Sequence, residues 1–186
     1  MPIRTDTKSK MRDACTTLPP VRMLTLCAVL TAVALVLSYL ESLIPLPVPV
    51  PGVKLGFANI AVLSALYLLG GRGAFAVNII RILLAGLMFT GFSAMLYALA
   101  GGILGVLVMI LLKRTGLFSV FGVSVGGATA HIAGQLSLAV LVTHTVSIFM
   151  LLPALLISAV LSGLLIGFIA QLILRTPGLK RSVHEY

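Results

Sequence analysis

Residues 22–44 read RMLTLCAVLTAVALVLSYLESLI. From Met23 to Leu40 this stretch carries no charge. That is longer than the roughly 7–15-residue apolar core of a secretory signal, and no clear small-residue cleavage site ends it. About 20 apolar residues cross a bilayer, so the stretch predicts a retained first transmembrane helix. The rest of the chain agrees in composition. Of its 186 residues 60% are hydrophobic and 9% charged, with a mean hydropathy of +1.19. A soluble domain of this size has no use for so much apolar surface. The two cysteines, Cys15 and Cys27, form no CxxC pair and suggest neither a disulfide framework nor a metal site.

Six spans follow from the apolar runs and their punctuation: 22–44, 54–70, 74–90, 93–112, 118–142 and 148–173. The breaks are a proline run at 45–51, Gly70-Gly71-Arg72-Gly73, Thr90-Gly91, Lys113-Arg114-Thr115-Gly116 and Thr143 to Ser147. The predicted fold is therefore an all-α integral membrane protein, a six-transmembrane-helix bundle. Its parts are an N-terminal tail at 1–21, the transmembrane domain at 22–173 with an outer loop at 45–53, and a C-terminal tail at 174–186.

Charge orients the bundle. With the N-terminus inside, Arg4, Lys8, Lys10, Arg12, Arg22, Arg72, Lys113, Arg114, Arg175, Lys180 and Arg181 all fall on the cytoplasmic side. That is the positive-inside pattern, and it puts both termini in the cytoplasm. It also accounts for the net charge of +9 without any nucleic acid. Two basic residues stay unexplained: Lys54 at the head of the second span and Arg81 in the middle of the third.

Ionisable groups at membrane depth are expensive and face a cavity or a partner. Arg81 keeps its proton in practice, so it needs an anion or several carbonyl oxygens. Asn78 precedes it by three residues, on the same helix face. Two readings stand side by side: a buried pair with Glu41, or a guanidinium aimed at an anionic ligand. Lys54 either snorkels to the interface or, with the amides of a helix start, joins Arg81 and Asn59 in a positive pocket. His131 and Gln135, four residues apart on the fifth span, are packing groups or further ligand contacts. No second histidine stands at metal-ligand spacing. The prolines at 45, 47, 49 and 51 cannot form regular ladders or helix bonds and read as a semi-rigid cover over the outer mouth.

Small residues recur at four-residue spacing. Gly122, Gly126, Ala130 and Gly134 form one ladder, Gly101 and Gly105 a second, and Gly163 and Gly167 a third. Such faces let helices approach closely in lipid, and packing within the bundle is the expected use. Ala28 and Ala32 make a similar AxxxA pair on the first span.

Acidic residues number four: Asp6, Asp13, Glu41 and Glu185. No Walker motif occurs, so ATP hydrolysis is not expected of this chain. No aspartate cluster is present to hold the magnesium that prenyl-diphosphate chemistry requires.

Six short spans, an inside N-terminus, the Ala28/Ala32 pair and a long loop after the first span resemble the substrate-binding S components of energy-coupling factor (ECF) transporters. More narrowly, ESLIPLPVPVPGVKLGFANI and NIIRILLAG resemble the Gx transporter family, also labelled heptaprenyl diphosphate synthase component I. The resemblance runs over roughly residues 22–173. It implies a non-enzymatic subunit without cofactors that captures a scarce small molecule from outside the cell membrane. A transmembrane coupling subunit and two cytoplasmic ATPase subunits would drive import, with Ala28 and Ala32 at the coupling interface. The resulting substrate-binding set is Lys54, Asn59, Asn78, Arg81, His131 and Gln135. The ligand expected is a small anion related to a vitamin, a quinone precursor or an isoprenoid. The alternatives are a non-transport membrane subunit of a quinone, isoprenoid or electron-transfer system, and a membrane enzyme of isoprenoid metabolism.

Overall fold

The computed structural model describes residues 20–43, 56–144, 150 and 152–176. Within them the chain is helical: α1 (Pro20–Ser42), α2 (Ala58–Leu68), α3 (Gly70–Ala85), a π-helical turn (Gly86–Thr90), α4 (Phe92–Thr115), α5 (Val120–Thr143) and α6 (Leu152–Arg175). Five of these are long and apolar enough to cross a membrane. The protein is a multi-pass helical membrane bundle.

The sixth, α2, departs from the expected 54–70 span. It has 11 residues, about 16 Å at 1.5 Å per residue, short of a hydrocarbon core of about 30 Å. Its limits are set by glycines: Gly56 at φ +82° precedes it, and after Leu69 the chain turns at Gly70, φ +80°, the first residue of α3. Neither conformation suits a residue with a Cβ. What α2 lacks in length it makes up in burial. Ala58 and the run Ile60–Leu66 are all buried, so α2 is the central helix, packed against α1, α3 and α6. The third span is correspondingly longer at its start than 74, beginning at Gly70.

Glycines bring α4, α5 and α6 together. A Cβ at Gly101 would stand 2.5 Å from the His131 carbonyl oxygen, and one at Gly134 would stand 2.8 Å from that of Ala100. Backbones this close leave no room for side chains, which is the small-residue packing expected in lipid. On the other flank Ser124 Oγ donates to the Gly163 carbonyl across the α5–α6 contact at 2.7 Å.

Lys113, Arg72 and Arg114 gather at one end. Lys113 Nζ donates to the Leu66 carbonyl at 2.6 Å and lies 4.6 Å over the Tyr67 ring. This ties the end of α4 to the end of α2 and sets Arg114 beside Arg72 at the start of α3. Glu41, Gly56 and Thr90 gather around a cavity toward the other ends of these helices.

Candidate functional site

Arg81 is 9% exposed and sits on the buried face of α3 with Asn78, which is 1% exposed. One turn separates them, so the Asn78 side chain folds onto the guanidinium. Asn78 Oδ1 accepts from Arg81 Nε at 3.2 Å and from Nη2 at 2.9 Å. Nη2 also donates to Asn59 Oδ1 at 3.0 Å. Asn59 lies in the first turn of α2, where the short central helix begins inside the bundle. A helix start carries positive partial charge, so the Arg81 cation and the α2 amides lie together.

Every hydrogen bond that Arg81 makes among the described residues goes to an asparagine carbonyl oxygen. Glu41, near the end of α1, instead accepts from the backbone N–H of Gly56. It acts on Arg81 as a nearby charge, not as a hydrogen-bond acceptor. A guanidinium has five N–H donors, and those on Nη1 are not used by any described residue.

A cavity of about 80 Å³ opens beside this group. Arg81, Asn59, His131 and Gln135 line it, so the structure brings together four of the six residues named from the sequence. Asn78 is not on its wall and acts from behind, holding Arg81. Its Nδ2 is buried without a hydrogen-bond partner, close to the Gly102 position on α4. Lys54 and the proline loop lie outside the described residues.

The wall holds more than the sequence reading named. Ser38 and Glu41 from α1, Thr90 from the π-helical turn and Ser162 from α6 add polar atoms, between apolar patches from Ile82, Ala98, Ile132 and Ile166. Ser38 precedes Glu41 by one helical turn, a signal the sequence did contain. Thr90 and Ser162 gave none, because each hydroxyl bonds a carbonyl of its own helix: Ala85 at 3.2 Å and Ala159 at 3.2 Å. Beside Ser38 and Thr90, the rings of Tyr39 and Phe89 meet edge to face with centroids 5.5 Å apart. The cavity thus has a cation and a carboxylate, an imidazole and an amide, and apolar walls. That mixture suits a small polar molecule with an acidic group.

Ala28 and Ala32 do not line this cavity. Both lie on an exposed face of α1 that also presents Val29, Val33 and Val36.

A family model described as heptaprenyl diphosphate synthase component I matches residues 30–173. No curated protein and no solved structure matches the chain.

Proposed function

Because the chain belongs to the heptaprenyl diphosphate synthase component I family, a Gx transporter-like family, we propose that it is a membrane substrate-binding subunit. In this reading it is the S component of an energy-coupling factor importer, and it captures a small anionic molecule in the Arg81 cavity. The observation that carries the reading is the state of Arg81. Its guanidinium is buried, fixed by two neutral amides and set against a cavity. Burying a charge is costly unless it is paired, and neutral oxygens compensate it less well than an anion does. A ligand carboxylate or phosphate on Nη1 would give the guanidinium a directly hydrogen-bonded anion in addition to the nearby Glu41 charge.

The remaining groups give the ligand its other contacts. Asn59 and Gln135 offer amides, His131 a ring nitrogen, and Ile132 and Ile166 an apolar bed. Lys54, named from the sequence alone, would add a second cation to the ligand's contacts. Positive residues gathered at one end orient that end to the cytoplasm by the positive-inside rule, so both termini are inside and the Glu41 end faces out. The exposed alanines of α1 allow a partner helix to approach closely, which suits a transmembrane coupling subunit served by two ATPases.

We do not assign the chain the synthase chemistry in the family's name. Prenyl-diphosphate chemistry calls for clustered carboxylates to hold magnesium. The chain's four acidic residues are dispersed at positions 6, 13, 41 and 185.

The test is native mass spectrometry of gently purified protein. A bound small molecule in 1:1 stoichiometry supports a binding subunit and identifies the ligand. Turnover of a prenyl diphosphate by the purified chain alone would refute the assignment.

A further inference from the structure

A second cleft lies at the opposite, basic end, between the start of α3 and the end of α4. Its volume is about 450 Å³, and it is lined by Gly71, Arg72, Phe75, Ala76, Ile110 and Arg114. We infer that this cleft binds the headgroup of an anionic phospholipid.

Three observations converge. First, Arg72 and Arg114 are exposed and hydrogen-bond to no described residue. Their neighbour Lys113 differs: it is committed to the Leu66 carbonyl and the Tyr67 ring. One cation therefore anchors the helix end, while two guanidiniums remain available at the cleft, Arg72 from α3 and Arg114 from α4. Arginine forks match phosphate oxygens in a bidentate way. Second, α3 begins here with no side-chain cap, so its first amides add positive potential to the two arginines. Gly71 lets α4 pack closely against the start of α3, since a Cβ there would stand 3.2 Å from Ile110 Cδ1. Third, the floor is apolar and continuous with the membrane-facing surface. Phe75 is 36% exposed, and Leu107 and Leu111 lie exposed on α4. A soluble anion has no use for that surface, whereas a phospholipid fills both parts: phosphate on the arginines, acyl chains along Phe75 and Leu111. Basic pockets at the cytoplasmic ends of membrane helices recognise lipid headgroups in this manner. The inference is independent of what the Arg81 cavity binds.

The experiment uses the full chain in nanodiscs of equal phosphatidylglycerol and phosphatidylcholine, released for native mass spectrometry. The wild type is expected to retain phosphatidylglycerol in preference to phosphatidylcholine. The double variant Arg72→Gln/Arg114→Gln should retain it about 10- to 30-fold less, on the scale of two lost surface cations. Arg175→Gln, outside the cleft, should match the wild type. Should the double variant fold poorly, Ala76→Glu places a carboxylate in the cleft and is expected to give the same loss. Equal retention of the two lipids, or undiminished retention in a folded cleft variant, overturns the proposal. Complete displacement of phosphatidylglycerol by millimolar inorganic phosphate also overturns it, since the site would then read phosphate without the lipid.

Discussion

Asn78 Oδ1 accepts two hydrogen bonds from Arg81, at 3.2 Å from Nε and 2.9 Å from Nη2. One amide oxygen thus fixes the plane of the guanidinium, and Asn59 holds the Nη2 corner from α2 at 3.0 Å. A buried arginine held by neutral oxygens keeps its charge available. A direct carboxylate partner would have quenched it.

Exchanging that oxygen for a charged one tests this point. In Asn78→Asp a carboxylate would sit where Oδ1 now sits and pair with Arg81 directly. The variant should melt at or near the wild-type temperature. Its affinity for the co-purifying ligand should fall by at least about tenfold, because the ligand's acid must now compete with a close ion pair. Unchanged affinity would mean that the ligand does not use the Arg81 charge.

Gly102 gives a steric test of the same arrangement. A Cβ there would stand 2.6 Å from Ile82 Cδ1 and 2.8 Å from Asn78 Nδ2. Overpacking of this kind typically costs about 1–3 kcal/mol. Gly102→Ala should therefore lower the melting temperature and, by moving Asn78, weaken ligand binding. A variant that melts normally but binds weakly would still place the effect at Asn78. Normal behaviour in both measurements would show that Asn78 does not position the guanidinium.

The α1 face supplies a prediction independent of the cavity. Ala28 and Ala32 are exposed, so Ala28→Trp adds bulk without disturbing the bundle. Pull-down of a coupling subunit by the folded variant should be lost, while small-molecule binding persists. Unimpaired pull-down would remove α1 from the partner interface.

Much of this was legible in the sequence, and the exceptions have physical causes. Uninterrupted apolar runs made α1 and α4 to α6 plain, because length and hydropathy alone decide whether a helix can cross a bilayer. Arg81 stood out since a mid-span guanidinium has few innocent explanations. The 54–70 span reads as one of the shorter ones, but the full brevity of α2, 11 residues, was hidden. Apolar residues continue past both its ends, and only the positive φ angles of Gly56 and Gly70 stop it. The role of Asn78 was half visible: its spacing from Arg81 placed it on the right face, but not behind the cavity wall. Thr90 and Ser162 could not be singled out, since hydroxyls in membrane helices commonly bond their own backbone.

The central claim is that Arg81 is the charge partner of a bound anion and not one half of a structural pair with Glu41. Native mass spectrometry of the wild type, Arg81→Ala, Arg81→Lys and Glu41→Gln, with a melting temperature for each, tests it most directly. Losing a buried charged contact costs about 2–5 kcal/mol, roughly 30- to 5,000-fold in affinity. The 1:1 small-molecule adduct should therefore vanish from folded Arg81→Ala. It should return only in part with Arg81→Lys, which lacks the planar fork. An adduct that persists at the wild-type level in folded Arg81→Ala, with Glu41→Gln as destabilised as Arg81→Ala, would contradict the account and leave Arg81 a structural residue.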